Sequence, residues 1–196
     1  LNEPGRFSEE YSFLKDGKVG NLEGYLFPDT YFLKRETDAE SIIKKMLDNF
    51  EEKVDEKIRQ EIQKKNKTLR EEIIMASIIE SEVRSSKDRK IVSGIFWKRL
   101  ENKMPLQSCA TLAYALGEKK KQYSYQDTQA KSPYNTYENP GLPPGAINNP
   151  GLDSIFAAVY PENSNYLYFL SDPNSGETLF ARTFEEQNAN KAKCGL

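Results

Sequence analysis

Histidine is absent from the whole chain. That absence removes the Ser-His-Asp triad, the Cys-His pair and the His-Glu-x-x-His zinc helix. Cysteine is scarce: Cys109 and Cys194 lie far apart and match no metal-ligand spacing. No run of about 18 apolar residues occurs, so no segment reads as crossing a membrane, and no signal peptide is visible. A basic excess is missing as well. Lys and Arg number 28 against 30 Asp and Glu, a net charge of -2, which gives no electrostatic footprint for nucleic acid. Chemistry must come from carboxylates, hydroxyls, amides, lysines or arginines. The chain begins with Leu1 rather than Met, so its natural start is expected upstream, and cysteine usage leaves the compartment open.

What is present is enough to fold. With 37% hydrophobic and 30% charged residues over 196 positions, the chain is wet but above the disordered range, and long enough for one large domain or two small ones. Residues 1–21 are polar, carry Gly5, Gly17 and Gly20, and read as a loop or the remnant of a preceding unit. Leu22 to Leu33 is aromatic and interrupted by Pro28-Asp29, which suits a short strand and a turn. Thr37 with Glu40 reads as a capping box, and Ile43, Leu47, Phe50, Val54, Ile58 and Ile62 predict one amphipathic helix running to about Lys67. Its stripe reads as core. Thr68 with Glu71 opens a second helix and a third covers about 87–102, where Gly94 implies close packing. Met104 to Gln107 reads as extended, and Thr111 to Leu116 as a short helix closed by Gly117. Residues 132–151 hold five prolines and three glycines, which forbid regular helix or central strand. Tyr134, Tyr137, Leu142 and Ile147 make this stretch too apolar for a free linker, and long structured loops are usually functional. A helix over 152–160, a hairpin around Asp172 to Gly176 and a last helix over 184–193 complete an α+β chain that is mainly helical, with short β segments and a C-terminal hairpin.

Glu80 follows Ile73-Ile74-Met75-Ala76-Ser77-Ile78-Ile79. A carboxylate carried into such surroundings is expected to be desolvated and kept neutral, able to give a proton to a leaving group. The alternative is a buried glutamate paired with an arginine such as Arg84. Glu82 points about 200° from Glu80 on a helix, so the two cannot flank one glycosidic bond as ordinary glycosidases require; Glu82 reads as an anchor for a loop. Tyr134-Asn135-Thr136-Tyr137 offers aromatic, amide and hydroxyl groups that suit a sugar ring. The alternative is a loop fixed by its own Asx and hydroxyl bonds, which the residues alone favour.

Five ordered blocks then carry a resemblance. Leu22-Glu23-Gly24-Tyr25-Leu26-Phe27-Pro28-Asp29-Thr30-Tyr31, Ala76 to Glu82, Met104 to Ser108, Ser132 to Tyr137 and Gly141 to Ile147 are similar to the motifs of the YceG-like endolytic murein transglycosylases. The resemblance runs from Leu22 to the C-terminus. It implies a catalytic domain over 22–196, with 1–21 as a remnant of, or linker from, a LysM-like subdomain. It also implies a membrane-anchored protein of the inner membrane whose catalytic domain lies on the extracytoplasmic side, cell-wall synthases as possible partners, and no cofactor or metal. Glu80 falls on the family's catalytic glutamate. Gln107, Tyr134, Asn135 and Thr136 become candidates for positioning substrate, with Glu82 in support. The expected reaction is lytic: Glu80 protonates the oxygen between N-acetylmuramic acid and N-acetylglucosamine, then activates the muramic C6 hydroxyl, giving 1,6-anhydro ends and terminating strand elongation. A hydrolase using Asp29 or Glu138 as second acid, and a peptidoglycan-binding or scaffolding module that does not cut, are the alternatives. Two departures stand out: Cys109 where the family usually has Asp, read as a small buried residue, and Glu186-Gln187-Asn188 where its last helix usually has a histidine.

Overall fold

The computed structural model describes residues 4–15, 19–120, 122–172 and 175–195. Gly17, Lys121 and the hairpin-tip residues Pro173 and Asn174 lie outside them. The first long helix predicted from periodicity is two. Asp38, not Thr37, caps α1 (Ala39–Lys53) by accepting the Ser41 amide. The apolar stripe continues, but Asp55 accepts the Ile58 amide and starts α2 (Glu56–Lys64). A side chain that caps a helix start competes with continuing the previous helix. The capping box of Thr68 and Glu71 opens α3 (Leu69–Glu82) as expected.

Helix α3 is the centre of the molecule. Every residue from Glu72 to Ile79 is buried, which explains its nearly unbroken apolar sequence. Ser85 caps α4 (Ser86–Glu101) after a turn of three residues, so α4 returns beside α3. Helix α7 (Leu152–Val159) packs along both, and the Trp97 indole donates to the Ala158 carbonyl at 3.1 Å. Gly94 has the role its position predicted: a Cβ there would stand 2.1 Å from the Glu162 carbonyl oxygen. Gly94→Ala gains helix propensity of about 1 kcal/mol, but overpacking against backbone outweighs it. The expected result is a lower urea midpoint with unchanged slope, equivalent to about 2 kcal/mol.

Leu22 to Leu33 forms turns rather than a strand. Gly24 adopts φ 98°, and the Asn149 side chain takes the amides of Gly24 and Leu26 that a strand partner would need. Leu22, Tyr25, Leu26 and Phe27 are buried, and Phe7, Tyr11 and Leu14 from the N-terminal stretch join the same core. That stretch is therefore packed, not a free loop: the Tyr11 hydroxyl reaches Asp48 of α1 at 2.6 Å.

Helix α5 (Cys109–Leu116) ends at Gly117 with φ 70°, and a single turn, α6 (Tyr125–Thr128), follows; the sequence reading missed α6 because four residues carry no period. At the C-terminus β1 (Tyr168–Ser171) pairs antiparallel with β2 (Thr178–Ala181), Tyr168 opposite Ala181. Helix α8 (Phe184–Lys193) lies against this hairpin. Arg99 of α4 ties the hairpin and the 105–106 segment together, donating to the carbonyls of Leu167 and Leu106 at 2.9 and 2.7 Å.

Candidate active site

The last turn of α3 carries Glu80 and Glu82 to opposite sides, as their spacing requires. Glu80 is not sealed in an apolar pocket. Its side chain keeps 30% exposure and forms an ion pair with Arg89 of α4. Arg89 Nη2 donates to Oε1 at 3.0 Å, and the Gly151 amide at the start of α7 donates to Oε2 at 3.1 Å. Two donors fix one carboxyl group and its side chain is partly exposed, so the expectation of a fully buried acid is corrected. The arginine partner is Arg89, not Arg84, which is exposed. Arg89 is itself fixed: Nε donates to the Val83 carbonyl at 3.2 Å, and Asp153 lies 4.0 Å from Nη1.

Glu82 faces α5. It accepts the Ser108 hydroxyl and the Ala110 amide, so it anchors the start of that helix. Burial pushes its carboxyl above the usual range, while Ser108 and Ala110 pull it down. Ser108 in turn donates its amide to Thr136 Oγ1 at 3.1 Å, and Thr111 and Thr136 hydroxyls meet at 2.7 Å.

This network decides what the four positioning candidates can do. Asn135 and Thr136 are buried. Asn135 spends its amide on the carbonyls of Thr128 and Ala130, and its oxygen on the Tyr137 amide. Both residues shape the loop, as the residue-level alternative had it. Tyr134 is half-buried, packs on the Tyr114 ring at 4.7 Å and lies against Gly145. Gln107 is exposed, with φ 50° and its amide on the Thr136 carbonyl. Among the described residues no hydrogen bond joins any of the four to Glu80. Cys109 is exposed rather than buried, its sulfur 3.3 Å from the Tyr137 hydroxyl.

The proline-rich loop reaches Glu80 through its far end. Residues 144–151 run along α3: Arg70 bonds the Pro144 carbonyl, Ser77 Oγ takes the Ile147 amide, and Asn148 donates to the Ser77 carbonyl and Ser81 Oγ, both at 2.7 Å. Gly151 completes the run at Glu80. Arg89, Asn148 and Gly151 were missed by sequence reading. The only signal for Arg89 was the Ser85-x-x-Asp88 start of α4, which turns the chain back toward Glu80. Asp29 is exposed and held by Asn49 at 3.0 Å, and Glu138 is exposed beside Gln129; neither bonds to Glu80.

Residues 5–193 match the YceG-like family. The chain is 43% identical over 173 residues to the endolytic murein transglycosylase of Bacillus subtilis (strain 168), covering 88% of this chain and 48% of that protein. It is 38% identical over 177 residues to the protein of the same name from Streptococcus pneumoniae (strain D39), covering 88% and 32%. The chain thus spans about half and about a third of these relatives. A crystal structure of a YceG-like protein from Listeria monocytogenes superposes with a TM-score of 0.88 at 40% identity, over 96% of this chain and 63% of that one.

Proposed function

The chain belongs to the YceG-like family, and from that premise we propose that it cuts peptidoglycan glycan strands internally by lytic transglycosylation, with Glu80 as the single acid and base. The observation that carries this reading is the geometry of Glu80: clamped from within by Arg89 and Gly151, on a rigid buried helix, with one face open. A fixed carboxylate with an open face can meet a glycosidic oxygen at hydrogen-bond distance.

In the proposed reaction a sugar ring covers the open face of Glu80 and excludes water from it. Glu80 gives its proton to the oxygen leaving the muramic anomeric carbon. The sugar's own N-acetyl group stabilises the charge that develops there. Glu80, now a carboxylate, takes the proton from the muramic C6 hydroxyl as that oxygen bonds to the anomeric carbon. The bond broken and the bond formed balance without water, and one residue serves as acid then base. Attack from within the same sugar supplies a large effective concentration. Gln107 and Tyr134 are the candidates able to touch substrate; Glu82, Asn135 and Thr136 hold the frame around them.

We propose that this activity acts outside the cytoplasm, near the membrane and cell-wall synthases, where internal cuts terminate growing strands. The test is incubation with purified murein followed by mass spectrometry of the soluble fragments. Anhydromuramic ends are expected. Murein that stays intact while retaining the protein would favour the binding module instead.

A further inference from the structure

We infer that the cavity at the start of α3 is a receiving site for the stem peptide carried by the muramic acid of the strand, an inference that rests on the proposed strand cutting. The cavity has a volume of about 550 Å³, and its walls include Lys67, Arg70, Trp97, Glu101, Pro143 and Pro144. Glu80 is not among its lining residues. Two cations, Lys67 and Arg70, and two carboxylates, Glu71 and Glu101, on one wall set are unsuited to a neutral sugar. They suit a peptide bearing both free carboxylates and an ammonium group. The indole and the two prolines add rigid apolar surface that loses little freedom on binding.

Lys67 supplies a second observation. Its ammonium lies over the Trp97 ring, and behind it is Glu72, fully buried with neither carboxylate oxygen hydrogen-bonded. Lys67 Nζ comes no nearer than 3.8 Å to the Glu72 carboxyl. The ammonium is therefore held at the cavity over the ring without spending its donors on Glu72, and it can donate to an arriving carboxylate.

The distance fits. Arg70 and Glu80 are ten residues apart on α3, about 15 Å at the helical rise. An extended peptide covers that in about four or five residues, the length of a peptidoglycan stem. Residues 144–151 form one wall along the whole path, bonded to Arg70 at one end and to Glu80 at the other.

The test titrates Glu80→Gln protein, to prevent turnover, with a muramyl disaccharide carrying a tetrapeptide and with the same disaccharide lacking it, by calorimetry. The peptide-bearing probe is expected to bind at least tenfold more tightly. Arg70→Gln, added to that background, should remove most of the difference and leave the affinity for the bare probe unchanged. Glu101→Gln, on an exposed residue that does not hold the loop, should do the same in part and guards against a folding effect of the arginine change. Equal affinities for the two probes, or variants that weaken both alike, would overturn the site. Failure of the unmutated chain to cut murein would sink the proposed function instead, and the titration would still decide the peptide site.

Discussion

Glu80→Gln is expected to lower the rate of murein cleavage at least about a hundredfold, the lower range for loss of a general acid, while the protein stays folded. The substitution keeps the shape of the side chain and an oxygen for the Gly151 amide. It loses the transferable proton and meets Arg89 with an amide in place of a carboxylate. Arg89 keeps the Val83 carbonyl and the nearby Asp153, so its charge is not stranded, and a partly exposed pair of this kind contributes on the order of 1 kcal/mol. The measurement pairs fragment release from murein with thermal unfolding of the same samples. A folded variant that cuts at a near-normal rate would remove Glu80 from the chemistry. A rate loss that tracks unfolding would assign the pair a structural role only.

The second large effect is on stability and belongs to Glu72. Burial pushes its carboxyl from an ordinary 4.5 up to about 7, against the pull of Lys67. Between those values the folded chain holds a proton that the unfolded chain releases. Stability therefore falls as pH rises through that window and levels off above about 7. The gap corresponds to about 3 kcal/mol. Glu72→Gln removes the titration and leaves an oxygen that Lys67 can reach. The variant is expected to exceed the parent by about 2–3 kcal/mol at pH 8, the advantage closing as pH approaches 4.5. Urea unfolding of both proteins across that range reads the effect directly. Parallel curves, or a variant less stable at pH 8, would show that Glu72 is not held neutral by its surroundings.

Both effects come from carboxylates on one helix, and sequence reading treated them unequally. It singled out Glu80 because an apolar run precedes it, then inferred burial from that run. The run is real, but α3 ends within one turn of Glu80, and the start of α7 and the start of α4 bring donors to it from distant parts of the chain. Glu72, in the first turn of α3, drew no reading from the sequence; its burial comes with the packing of α3 at the centre of the fold, which no local pattern encodes. Local signals fared best where a side chain acts on its own neighbours. The Thr68–Glu71 capping box, the closure of α5 by Gly117 and the span of α8 were all legible. The single helix expected over 37–67 was not, because a stripe of period 3.6 passes unbroken through the cap at Asp55. The Tyr134 to Tyr137 run shows the same limit. Its residue types suit sugar recognition, yet Asn135 and Thr136 are consumed by the loop they build, and the residue of that loop that bonds Glu80 is Gly151.

In the proposed reaction Glu80 takes the proton of the muramic hydroxyl and not that of water. The most direct measurement is digestion of murein by this chain in water enriched in heavy oxygen, with mass analysis of the new muramic ends. The expected products are anhydro ends with no heavy oxygen incorporated. Reducing muramic ends carrying the label would show that water is the nucleophile and would contradict the account.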